Sequence, residues 1–202
     1  MRTDWNENYA ELVGEATAEP AFSHTNHGED YFRLPLRVLR LSGSEDVVNL
    51  IVSRGLLEEC HVAPGDRLKV TGEVRSYNNK SGEGSRLVIT VYAKTMIHTD
   101  EDHSNRLKLS GVLCKPPVYR RTPLGREICD LMLAVNRKYG RADYLPCIAW
   151  GSLAKRCSRL TVGSGIQMDG RLQSRSYHKV VGDYSEQRVA YEVSVMGMEE
   201  ME

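Results

Sequence analysis

Groups able to carry covalent or metal chemistry are few in this 202-residue chain, and their spacing argues against catalysis. The histidines, His24, His27, His61, His98, His103 and His178, form no HExxH or comparable metal spacing, and no GxSxG or GxxxxGK[ST] string occurs. Cys60, Cys114, Cys129, Cys147 and Cys157 contain no CxxC pair, and an odd number of scattered thiols suits a reducing compartment, where they pack as small hydrophobes. Cys114 and Cys129 are the candidate nucleophiles, yet neither has a partner base fixed by the sequence. No enzyme activity, metal site or cofactor is therefore expected. The remaining chemistry is that of cations and rings, and the cations are unevenly divided. Residues 1–100 hold 11 Lys and Arg against 15 Asp and Glu, a net of −4, whereas residues 101–202 hold 16 against 12, a net of +4. The neutral total conceals an acidic half and a basic one, and a polyanion would be drawn to the second.

The elements that must position these groups repeat along the chain. Gly14, Pro20, Thr25 and Gly28 fall 97 residues before Gly111, Pro117, Thr122 and Gly125; Leu34, Leu36, Val38, Leu56 and Cys60 keep the same offset to their counterparts. One inserted residue later, Gly65 and Gly72 match Gly163 and Gly170 at an offset of 98. Each unit opens with an alternating segment ending in Gly, then a Pro-containing turn, then a second alternating segment. In the second unit ICDLMLAV and DYLPCIAW read as strands, with Pro146 at a bulge or an edge. GSLAKRCSRL has helical spacing, IQMDGRLQSRSY reads as a fourth strand, a loop runs through Gly182, and VAYEVSVM closes the series. The first unit supplies LKVTGEVRSY and LVITVYAKTMI as its last two strands. The expected fold is all-β: two tandem five-stranded OB-type barrels, each with one short helix between strands 3 and 4. The polar stretch 98–105 reads as the linker, which gives domains 1–100 and 101–202. No apolar run is long enough for a membrane span, and the N-terminus lacks a secretory stretch, so a cytoplasmic, nucleoid-associated protein is expected.

The stretches NRLKLSG, PPVYRRTPLGREICDLMLAVNRKYG, DYLPCIAWGSLAKRC and VGSGIQMDGRLQSRSY, in that order, resemble bacterial single-stranded DNA-binding proteins and the related primosomal replication protein N group. The resemblance covers nearly all of residues 105–198, while residues 1–100 match only in skeleton. It implies sequence-independent binding of single strands in replication, recombination or repair, with bases stacked on aromatic rings and basic residues following the backbone. On that basis Tyr139, Tyr144, Trp150 and Tyr177 occupy stacking positions. A base gains roughly 1–3 kcal/mol on such a ring whatever its identity, because every base has a π-face. Arg120, Arg121, Arg126, Arg137, Lys138, Arg141, Arg171 and Arg175 are the candidate phosphate contacts, with Tyr119 beside the first pair.

At the 97-residue offset, Ser42, Val47 and Ser53 stand where the second half has Tyr139, Tyr144 and Trp150. The first barrel is thus expected to have lost its stacking faces and to serve assembly or partner contact, with Phe22 and Tyr77 retaining weak strand contact. The resemblance also implies a homodimer carrying four barrels, and contact with replication or repair proteins. The chain stops at MGMEEME directly after its last strand, so a recruiting tail with an acidic tip is not expected. The alternatives are RNA as the ligand, a primosome-like accessory, and a protein-interaction module that binds nucleic acid weakly.

Overall fold

Alternation of apolar and polar residues dictates the strands, because a period of two sends successive side chains to opposite faces. A computed structural model describes residues 7–80, 85–137, 140–182 and 184–201. It places β1 at Asn8–Ala16, β2 at Ala21–Asn26, β3 at Glu29–Leu39, β4 at Glu45–Ser53, α1 at Arg54–Cys60, β5 at Arg67–Asn78 and β6 at Leu87–His98. The series then recurs as β7 (Ser104–Leu113), β8 (Val118–Arg121), β9 (Glu127–Asn136), β10 (Ala142–Trp150), α2 (Gly151–Cys157), β11 (Gly165–Val181) and β12 (Tyr184–Glu200). Two compact units result. One comprises residues 9–75 and 89–106; the other comprises residues 1–8, the hairpin tip 76–88, and residues 107–202.

In the first unit β1 pairs with β5 from Ala10↔Gly72 to Glu15↔Arg67, then changes partner to β3 at Glu15↔Arg37 and Ala16↔Leu36. β3 runs antiparallel to β4, β4 runs parallel to β6 at Leu50↔Val91, and β6 lies beside β5, so the sheet closes on itself. The second unit repeats that ring through β7, β9, β10, β12 and β11, with its parallel pairing at Cys147↔Val193. Inside each ring the inward residues are fully buried: Leu12, Leu36, Leu50, Leu68 and Val70 in the first, Leu109, Leu113, Leu133, Leu145 and Leu172 in the second. Burying each such side chain contributes about 1.5–3 kcal/mol.

Two repeated glycines have a steric reason. β1 and β7 cross to new partners at Gly14 and Gly111, where a Cβ on Gly14 would sit 2.5 Å from the Arg37 carbonyl oxygen, and one on Gly111 would strike the equivalent Ala134 carbonyl. A repeated ion pair also closes the base of each ring. Arg40 Nε donates to Asp46 at 2.7 Å and Arg137 Nε donates to Asp143 at 2.6 Å, with both carboxylates buried.

The structure differs from the expected pattern in three places. The segments after Pro20 and Pro117, read as turns, form the short outer strands β2 and β8 along β3 and β9. Every residue of both is exposed, so no alternation of burial marks them. The loop through Gly182 is instead a tight turn at the end of a 17-residue hairpin pair, whose ladder continues from Tyr177↔Arg188 to Val181↔Tyr184 beyond the core. Pro146 sits at no bulge, since β9 and β10 keep register from Ala142 to Trp150. Its other side is locally an edge, because β12 is reached only at Cys147 and Ile148.

Candidate nucleic-acid interface

Register decides which candidate residues share a surface. On β10 the inward residues Asp143, Leu145, Cys147 and Ala149 are buried, and alternation sends Tyr144, Pro146, Ile148 and Trp150 to the other face, where Tyr144 and Trp150 are exposed and Ile148 is covered. The parallel pair Ile148↔Ser194 and the antiparallel pair Ser194↔Arg171 carry that outer face across β12 to β11. There Arg171, Gln173, Arg175 and Tyr177 alternate with the buried Leu172, and on β9 the same face carries Asp130, Met132 and Ala134. One surface thus holds Tyr144 at 51% exposure and Trp150 at 39%, with Tyr177 half-buried and the guanidinium groups of Arg171 and Arg175 beside them. None of these three rings pairs with another ring among the described residues. The Arg171 Nε is buried and has no hydrogen-bond acceptor there.

The same face contains acidic groups. Asp130 accepts from Arg120 at 2.7 and 3.3 Å, and that bond raises the Arg120 guanidinium pKa above its ordinary value. Glu192 accepts from the Gln173 amide at 2.9 Å. Arg120 is therefore half of a neutral pair on the rim of the face, while Arg171 and Arg175 are the cations within it.

Other candidates fall elsewhere. Tyr119 and Arg121 sit on the opposite side of β8, toward α2. The Tyr119 hydroxyl donates to Glu127 at 2.7 Å, while Arg121 (3.2 Å) and Lys155 (3.1 Å) pair with the same carboxylate. The Tyr119 hydrogen bond, followed by the one from Lys155, holds the Glu127 carboxyl below its usual pKa. Arg126 is exposed in the turn that Gly125 closes at φ 78, and Arg141 is exposed next to β10. Arg137, expected as a phosphate contact, is committed to structure: besides Asp143 it donates to the Ser76 carbonyl at 3.1 Å. Lys138 and Tyr139 lie outside the described residues.

Some surface residues carried no sequence signal. Tyr184 (66% exposed) and Val180 lie on the β11–β12 hairpin, and Met196 is pushed out where the register shifts at Asp169/Gly170. The hairpin's alternation faces water on both sides; only its mixture of Tyr with Lys179 and Arg188 could have drawn attention. Burial pushes the Cys157 thiol up to about 11 and raises Cys129 and Cys147 as well, which disfavours their thiolates. Among the described residues no group of three or more His, Cys, Asp and Glu could hold a metal ion, and no helix is long and apolar enough to cross a membrane.

A ring in this strand order, with a helix before its fourth strand, is the OB fold, a class whose strand faces take oligonucleotides and oligosaccharides. Residues 104–201 match the model of the single-strand binding protein family. The family is one of non-enzymatic DNA-binding proteins. The chain is 39% identical over 85 residues to single-stranded DNA-binding protein 1 of Staphylococcus aureus strain COL, a match covering 39% of this chain and 51% of that protein. It is 38% identical over 85 residues to single-stranded DNA-binding protein A of Bacillus subtilis strain 168, covering 39% and 49%. The chain thus spans about half the length of the curated relatives it matches. The wild-type single-stranded DNA binding protein from Thermus aquaticus superposes with a TM-score of 0.80 over 98% of this chain and 94% of that one; at 23% identity this shows the fold.

Proposed function

We propose that the chain binds single-stranded DNA without base-sequence preference, in replication, recombination or repair, along the outer face of β9–β12. The observation that carries this is the register: Tyr144, Trp150 and Tyr177, three rings with no ring partner among the described residues, share one surface with Arg171 and Arg175. Such a surface supplies both terms that single-strand binding needs, stacking that accepts any base and cations that neutralise phosphate. A duplex hides its base faces and should gain only the second term. Arg126 and Arg141 extend the cationic rim, and Tyr119, Arg120 and Arg121 flank it through their carboxylate partners. The first barrel serves assembly or partner contact in this reading, within a homodimer of four barrels, and sedimentation of the full chain tests that stoichiometry.

The test of binding is a titration of tryptophan emission in a Trp5→Phe background with oligo-dT, RNA and duplex at two salt concentrations. Quenching by oligo-dT that added salt reverses, with weaker response to duplex, is expected. Equal affinity for duplex, or no response to any single strand, overturns the proposal.

A further inference from the structure

Residues 76–78 and 86–87, part of the same compact unit as the second barrel, line a cleft with β9 and β10 that none of the assigned strand contacts except Tyr144 explains. Its volume is about 680 Å³, inside the ~300–1,000 Å³ range of sites that take small ligands. Tyr77 and Tyr144 line it, 56% and 51% exposed, with Leu87 and Met132 as apolar floor and Arg86 and Lys115 as cations. Among the described residues no carboxylate lines it, and neither Arg86 nor Lys115 makes an ion pair there.

The cleft is built rather than incidental. Ser76 turns inward on β5: its backbone N–H donates to the Asp143 carboxylate, its carbonyl accepts from Arg137, and its hydroxyl accepts from the Tyr144 N–H at 2.8 Å. Alternation then sends Tyr77 the other way, out of the core and into the cleft. Farther along the hairpin, Ser85 Oγ donates to the Val189 carbonyl at 2.8 Å. In the repeat, the position of Tyr77 is taken by Arg175 at the 98-residue offset, so a ring here is a departure of the first copy.

We infer that this cleft is an additional nucleotide subsite, in which Tyr77 provides a stacking face and Arg86 and Lys115 hold the adjoining phosphates of a single strand that leaves the outer face at Tyr144. The inference rests on the proposed single-strand binding and extends its path. Two rings, an apolar floor, an Asn78 amide able to address a base edge, and two cations match the parts of a nucleotide.

The experiment compares the full chain with Tyr77→Ala, Tyr77→Phe, the double variant Arg86→Ala/Lys115→Ala, and Trp150→Ala as reference, using long oligo-dT. Tyr77→Ala should weaken binding about five-fold or more, the loss of one stacked base, and Tyr77→Phe should restore it. The double variant should lower the log–log salt slope by about 1.4, the share of two phosphates on a single strand. Strands carrying 5-iodouracil should cross-link to Tyr77 in the unaltered protein. If Trp150→Ala weakens binding while Tyr77→Ala stays within two-fold and no cross-link forms, the subsite is wrong and the proposed function stands. If the unaltered chain binds no single strand, both fall. Tyr77 is exposed, and far-ultraviolet circular dichroism separates lost contact from lost fold.

Discussion

In the first barrel Tyr31 stacks on His24 at 5.1 Å and accepts a hydrogen bond from the Tyr92 hydroxyl at 2.9 Å, while Arg54 lies 5.4 Å over Phe32. In the second, Tyr144, Trp150 and Tyr177 have no such partners among the described residues. The two rings of strands are otherwise superimposable in their register: Tyr31↔Ser53 and Ile128↔Trp150 are the same pair at an offset of 97. Apart from the longer β11–β12 hairpin and swaps of one apolar core residue for another, such as Val52 for Ala149, the divergence that bears on a ligand lies in what points outward. Glu73, which pairs with Lys94 at 3.0 Å, stands where the second barrel has Arg171. The helix start is the clearest case. Ser53 caps α1 by accepting from the Leu56 N–H at 3.3 Å, whereas Trp150, at the same position before α2, makes no side-chain cap. A duplicated core can thus be kept while one copy satisfies its own surface groups and the other leaves them for a ligand, at some cost in local stability.

That contrast can be broken first through what the barrels share. Asp46→Ala and Asp143→Ala each leave a partly buried guanidinium without its carboxylate and should cost about 3–5 kcal/mol, measured by denaturant unfolding. A large cost in only one barrel would mean that the pair is not equivalent. Next, Trp150→Ala should weaken oligo-dT binding by the ~1–3 kcal/mol of one stacked base. Ser53→Ala should leave binding unchanged and destabilise by about 1 kcal/mol through loss of the cap. Trp150→Ser sharpens the point: it should weaken the strand and gain a few tenths to about 1 kcal/mol in stability by restoring a cap. Arg171→Glu, which imposes the first barrel's charge, should reduce the salt slope by about 0.7 or more, as read from titrations at several ionic strengths.

The smallest effect concerns another repeated pair. Asp30 and Glu127 are equivalent positions, and both carboxyls are held below their ordinary values, Asp30 by the Thr25 hydroxyl and then Arg54, Glu127 by Tyr119 and then Lys155. Their contribution is complete above the usual carboxylate range and is lost only as pH falls through the lowered values. Carboxyl NMR titration should show both inflections below those of model carboxylates; an ordinary value for either would remove the likeness.

The repeat, the helix and most strands were legible because burial imposes a period and close backbone approach imposes glycine. Gly14 and Gly111 announced the duplication without revealing the carbonyls they clear. β2 and β8 escaped because all their residues face water. So did the outer half of the β11–β12 hairpin, whose ladder is held by backbone bonds that leave no trace in side-chain type. Arg137 looks like any exposed arginine of a basic segment; only the burial of Asp143, six residues on, shows where it is spent. The shared face of Tyr144, Trp150 and Tyr177 depended on pairings between strands distant in the chain, which no local pattern encodes.

Closure of each ring has a colloidal consequence. Among the described residues β2 pairs along β3 and β8 along β9, so each presents an unpaired main-chain edge, as do the far side of β10 at Pro146 and the outer half of β11–β12. β8 is four residues long and ends in Arg120 and Arg121; two cations on so short a ribbon are a poor template for a strand from another molecule. Cross-β growth is therefore disfavoured at β8.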